Sequence, residues 1–126
     1  MFERTCGKDG VFGFNALHRV YIGRGNKAYQ LKPSPLANPL IIGKHGSREQ
    51  VIESYRQWLW QQVKEGMAGK PNAAWNELKY LQSSAKKLTT KWDFDSLELT
   101  CWCQDSELCH GDVIVNCLEW MNKNDL

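Results

Sequence analysis

At 126 residues, 42% hydrophobic and 24% charged, the chain can bury one sizeable core but not two. No apolar run approaches the roughly 18 residues of a membrane-spanning helix, and the opening MFERTCGKDGVFGF lacks the layout of a secretory signal, so a soluble, cytoplasmic protein without a membrane partner is expected. The net charge of +2 selects no partner by itself, and five cysteines, odd in number and with three clustered, do not resemble a secreted disulfide framework, so free thiols or metal ligands are expected.

Residues 1–18, rich in Gly and Phe without clear periodicity, read as an N-terminal extension or a short edge element. The single domain is expected over 19–126. It opens with a β-branched and aromatic strand, Arg19 to Ile22, ended by the Gly-x-Gly loop of GRGNKAYQ. LKPSPLANPLIIGKHG follows, and its three prolines forbid a helix, leaving an ordered loop with a short strand at Leu40–Ile42. Ser47 and Gln50 form a capping box, after which Val51, Ile52, Tyr55, Trp58, Leu59 and Val63 recur at helical spacing up to Gly66. Tyr55 and Trp58 are therefore expected to pack in the core.

A second helix is predicted from near Pro71, with Ala74, Trp75, Leu78, Leu81, Ala85 and Leu88 on its apolar stripe, ending where TTKWDFDS begins. Leu97 to Cys103 alternates as a strand, with Leu99, Cys101 and Cys103 on one face. The loop QDSEL then leads to a last helix from about His110, whose stripe is Val113, Ile114, Cys117, Leu118 and Met121. Six tryptophans suggest a thick core or an aromatic-lined pocket. Strands separated by helices predict a small α/β, Rossmann-like three-layer domain, with a mostly parallel sheet flanked by helices. Ligands of such sheets sit beyond the strands' carboxyl ends, where both the glycine loop and the cysteine cluster fall.

Charge is segregated along the chain. Residues 1–91 hold 15 Lys/Arg and 6 Asp/Glu, whereas residues 92–126 hold one and 8. Between Asp9 and Glu49 there is no acidic residue, yet Arg19, Arg24, Lys27, Lys32, Lys44 and Arg48 all lie there. A small anionic ligand such as a nucleotide or sugar phosphate would be at home among them. Gly23 and Gly25 permit close approach of a phosphate to main-chain N–H groups. Arg24 and Arg48 add guanidiniums, Asn38 an amide, and Ser47 with Arg48 a helix start favourable to anions. Nucleic-acid binding is a further reading of the basic region, without a recognised motif.

CWCQDSELCHGDVI carries three of the five cysteines. Cys101, Cys103, Cys109 and His110 are the ligand types of a structural zinc site, although the spacing is not that of a usual knuckle. Alternatively, Cys109 at the helix start is a thiolate nucleophile favoured by the helix dipole, or His110 is an acid or base oriented by Asp112. Whether turnover occurs stays open. Cys117 reads as a small core residue and Cys6 as incidental.

Two segments together, VYIGRGNKAYQLKPSPLANPLIIGKHGSREQVIESYRQWL and LTCWCQDSELCHGDVI, closely resemble an uncharacterised phage and bacterial family, domain of unknown function 4326. The resemblance spans about residues 19–120. It rests on Gly23, Arg24 and Gly25; Leu36, Asn38 and Pro39; Ser47, Arg48 and Glu49; and Cys101, Cys103, Cys109 and His110. It implies a domain rather than a reaction, in a bacterial cell or a phage-infected host. The Cys-x-Cys strand and Cys-His helix start are similar, more loosely, to another Rossmann-like family with arginine where Gly111 stands here.

Overall fold

The computed structural model describes residues 2–6, 13–92, 96–103 and 107–126. The expectations for residues 7–12 of the leader, and for the loop residues 93–95 and 104–106, lie outside the described residues. Three strands, β1 (Phe2–Cys6), β2 (Arg19–Tyr21) and β3 (Leu97–Cys101), make a parallel sheet in the order β1-β3-β2. Among the described residues there are also a single 3-10 turn at Lys27–Tyr29 and three α-helices: α1 (Arg48–Met67), α2 (Ala73–Lys91) and α3 (His110–Lys123). The domain is thus mixed α/β with a parallel sheet. Phe2–Cys6, inside the segment read as an extension or edge element, is an outer strand paired along its whole length with β3.

The two-residue period of β3 sends Leu97, Leu99 and Cys101, each at most 2% exposed, into one core with Phe2, Ile22 and the stripes of all three helices. On the other face Phe14, Tyr21 and Leu31 form a second buried cluster packed by Trp102. There the Thr100 hydroxyl donates to Phe14 O at 2.6 Å. Among the described residues the helices share the Leu97–Leu99 face, and loop aromatics close the other. This departs from the expected three-layer arrangement. A sheet of only three short strands leaves so narrow a face that a few aromatic side chains cover it.

Local chemistry explains the element boundaries. Ser47 accepts from Gln50 N, and the Gln50 side chain accepts from Ser47 N, closing the expected capping box of α1. α2 starts two residues after Pro71, capped by Asn72, which accepts from Trp75 N at 2.8 Å. That helix runs on through Thr89, Thr90 and Lys91, where the sequence predicted a loop. The threonines fold back instead of breaking the helix: Thr90 Oγ1 donates to Lys86 O at 2.8 Å, and Thr89 Oγ1 to Ala85 O at 3.2 Å. β3 stops at Cys101, two residues early, because its neighbours β1 and β2 end alongside it.

No strand forms over Leu40–Ile42. Its polar groups are satisfied locally, with His45 Nδ1 accepting from Ile41 N at 2.9 Å and Arg24 donating to Leu40 O at 2.6 Å. Gly43 and Gly46 take the left-handed φ values of 90° and 137° that the turn requires. None of the six tryptophans is fully buried: Trp58 and Trp75 pack half-buried against the main core and Trp102 against the second cluster, whereas Trp60, Trp92 and Trp120 are exposed. Tyr55 is fully buried, with Trp58 half-buried against it at 5.5 Å between ring centroids. No helix of the described residues is long and apolar enough to cross a membrane.

The proline-bearing loop is anchored to α1 by one buried bond, Tyr55 Oη donating to Leu36 O at 2.6 Å. Tyr55→Phe strands that carbonyl in a dry core, so we expect a loss of about 1–3 kcal/mol of stability in urea denaturation. An unchanged midpoint would show that the loop is held by Leu36 packing alone.

Candidate functional site

In a parallel sheet the carboxyl ends of all strands share one edge. Here β2 runs out into Gly23–Gly25, β3 into Trp102 and Cys103, and α3 starts at His110. A cavity of about 400 Å³ opens along this edge. Gly23, Arg24, Gly25 and Asn38 line one part of it; Arg48, Cys103 and His110 line another. The two sequence motifs, separated by about half the chain, therefore meet at one cleft. Ser47 lies outside it and uses its hydroxyl on the helix cap. Leu40, Ile41 and Ile42, expected as a strand, form an apolar lip of the cleft instead.

Gly23 is required by its neighbour. A Cβ there would sit 2.4 Å from the Tyr21 hydroxyl oxygen, so only glycine lets that ring fold over the turn. Tyr21 Oη donates to Arg24 O at 2.6 Å and accepts from Trp102 Nε1 at 2.9 Å, tying the ends of β2 and β3 together. Arg24 itself is a clasp. Its Nε and Nη2 donate to Asn38 O at 3.1 and 2.8 Å, and Nη2 reaches Leu40 O as well. Arg48 donates through Nη1 to Leu108 O at 2.9 Å and pairs through Nη2 with Glu107 at 2.9 Å. Both guanidiniums expected to hold a phosphate thus already order the cleft walls. The Asn38 Oδ1 likewise accepts from Leu40 N at 2.9 Å.

The sulfurs of Cys101, Cys103 and Cys109 lie within 4.8 Å of one another, all as free thiols. Cys101 and Cys109 are buried, and Cys103 is half-buried toward the cleft. The Cys109 thiol donates to Cys101 Sγ at 3.5 Å. Cys109 also caps α3, accepting from Gly111 N at 3.4 Å while Asp112 Oδ2 accepts from Cys109 N at 3.1 Å. The helix start alone predicted a thiolate at Cys109. In the cluster, hydrogen bonding with Cys101 and Cys103, reinforced by burial, pushes that thiol up instead. Bonds from the Cys101 and Cys109 thiols, helped by Arg48 Nη1 at 3.8 Å, pull Cys103 far below its ordinary value. Among the three, Cys103 ionises first. Cys117 stands apart on α3, its thiol pushed up to about 11 by burial.

His110 sits at the edge of the thiol group. Its Nε2 is 2.9 Å from Ile22 O, which makes Nε2 the protonated nitrogen and leaves Nδ1 as a lone pair, 3.7 Å from Cys109 Sγ. The ring packs edge-on to Tyr55 at 5.2 Å, and desolvation lowers its pKa, so it is neutral at pH 7. Asp112 does not orient this imidazole; its oxygens take Arg4 Nε and Cys109 N.

A family model described as a domain of unknown function (DUF4326) matches residues 14–120. The chain belongs to this family. No curated protein and no solved structure matches it. The DUF4326 match contains the glycine loop, Asn38, Arg48 and all four thiol and imidazole groups. It leaves out β1, from which Arg4 enters the site with a side chain only 6% exposed. Sequence reasoning missed Arg4. Its trace was Gly111, where a Cβ would lie 2.5 Å from Arg4 Cγ and 2.9 Å from Ile22 Cδ1.

The thiols should differ in reactivity. In chelator-treated, folded protein at pH 7, iodoacetamide followed by mass spectrometry is expected to alkylate Cys103 before Cys101 and Cys109, since only Cys103 combines access with a low pKa. Labelling of Cys109 first would contradict this arrangement.

Proposed function

We propose that this domain holds one zinc ion on Cys101, Cys103, Cys109 and His110, and that the ion staples the wall of a ligand cleft. The observation that carries this reading is the approach of three free thiols to within 4.8 Å of one another at the end of one strand. In a tetrahedral zinc–thiolate site, bonds of about 2.3 Å put neighbouring sulfurs about 3.8 Å apart. The Cys101–Cys109 separation of 3.5 Å and the Cys109–His110 separation of 3.7 Å are of that size. Three thiols packed only as core residues would have no use for the guanidinium N–H groups near two of them.

His110 supports the same conclusion. A ligating histidine generally donates its second N–H to a carbonyl, which fixes the tautomer, and Ile22 O is placed to take that role. The donor set, soft thiolates with one imidazole, suits zinc better than magnesium or calcium. With four protein ligands the ion supplies folding energy and rigidity rather than a bound nucleophile. The elements it would join are β3 and the first turn of α3.

A second reading concerns the cleft itself. Gly23, Arg24, Gly25, Asn38 and Arg48 line one cavity, and the same acid-free interval carries the exposed Lys27, Lys32 and Lys44. This supports binding of a small anion, a nucleotide or sugar phosphate among the candidates, with the metal centre as one wall. Arg24 and Arg48 would then serve the ligand by ordering the loops as well as by charge.

Elemental analysis of protein purified without added metal is expected to find about one zinc per chain. Cys103→Ser and Cys109→Ser are expected to lose it, and chelation to lower the melting temperature of the wild type. Acidification should release the ion as protons take the thiolates. Protein that neither retains nor takes up zinc would remove the reading. For the cleft, phosphate and nucleoside phosphates are expected to raise the melting temperature of the wild type and not of Arg24→Ala; no shift with any anion would count against it.

A further inference from the structure

We infer that Arg4, on the strand preceding the family match, is a positioning residue of the metal centre and a counter-charge to its thiolates. The inference rests on the zinc reading above and names the group that assembles that site. Arg4 leaves β1 on the helix-bearing face, passes through the gap left by Gly111, and ends among the ligand-bearing segments. Its Nη1 lies 4.0 Å from Cys101 Sγ and 3.5 Å from Cys103 O. Its Nη2 donates to Glu107 O at 2.8 Å, and its Nε pairs with Asp112 Oδ1 at 3.2 Å. One planar fork therefore joins the end of β3, the segment entering α3 and the first turn of that helix.

Those are the stretches that carry the proposed ligands. Cys101 and Cys103 stand at the first, and Cys109 and His110 lie between the second and third. Asp112 fixes the fork at the helix start while its other oxygen accepts from Cys109 N, so two hydrogen bonds through one carboxylate link the guanidinium to the backbone of a ligand residue. A lysine ammonium could replace the charge but not this geometry.

Charge gives the second argument. Zinc with three thiolates and a neutral imidazole carries a net charge of −1, and a buried anion needs donors or cations beside it. Arg4 Nη1 is placed near Cys101 Sγ, and Arg48 Nη1 near Cys103 Sγ, one guanidinium for each of these two thiolates. Arg48 is partly open to solvent, whereas the Arg4 side chain is 6% exposed, so solvent screens Arg4 far less.

The test is a cobalt(II) and zinc titration of the full chain as wild type, Arg4→Gln and Arg4→Lys. Folding is followed by circular dichroism, and the thiolate-to-cobalt absorption is recorded. Arg4→Gln is expected to bind both metals about 10–100-fold more weakly, with the charge-transfer band displaced. Arg4→Lys should recover only part of the affinity. A residue that merely held β1 in place would lower the melting temperature without moving the spectrum or the affinity. If Arg4→Gln does not fold, Arg4→Lys decides, and affinity and spectrum equal to wild type there overturn the inference. Wild-type protein that binds neither metal overturns the zinc reading and this inference with it; wild type that binds while both variants match it overturns this inference alone.

Discussion

Parallel pairing of three short strands constrains everything else in this domain. Because β1 and β2 both run alongside β3 in the same direction, their carboxyl ends reach one edge together. Main-chain groups that lose their sheet partners there must find others, and the side chains at that edge supply them. Tyr21, His110 and Arg4 each bond a backbone carbonyl just past a strand end or before α3, and Arg24 bonds Asn38 O of the proline-bearing loop. The cleft is what remains between these bonded turns. Its walls are therefore ordered by the same interactions that terminate the sheet.

The placement of charge follows from this arrangement. Arg48 of the basic interval pairs with Glu107 of the acidic last third, whose Asp112 pairs with Arg4 of β1. In the folded chain the two signs meet at the strand ends, so part of the segregation seen in the sequence is intramolecular complementarity. Of the remaining cations of the basic interval, Lys27, Lys32 and Lys44 are exposed. A buried guanidinium such as Arg4 is different in kind. Burial makes its bonds to Asp112 and to carbonyls obligatory, because leaving a charge unpaired there costs several kcal/mol.

The cysteines show how local rules can mislead. A helix start lowers a thiol's pKa by itself, and that rule singled out Cys109. Two further thiols at contact distance reverse the order, since three sulfurs crowded together share protons, and the one beside Arg48 gives its proton up most readily. Neither Cys101 nor Cys103 is adjacent to Cys109 in sequence, and their approach depends on the course of the chain between β3 and α3. Residue types announced the chemistry; distances assigned the roles.

Much was nonetheless legible in the chain. The capping box at Ser47, the stripes of all three helices, the alternation of Leu97, Leu99 and Cys101, and the strand at Arg19 depend on neighbours within a turn or two, so periodicity and cap chemistry determined them. The shared cleft was inferable as well, because both motifs follow strands that were expected to run parallel. Only the tertiary structure decided that β1 is part of the sheet, that loop aromatics replace a second helical layer, and that Arg24 spends its donors on Asn38 and Leu40 carbonyls. It alone brought Arg4 to the sulfurs, across a sequence separation of almost a hundred residues. Contacts of that range leave no periodic trace; a single glycine at position 111, vacating the space the guanidinium stem occupies, was the sole local sign.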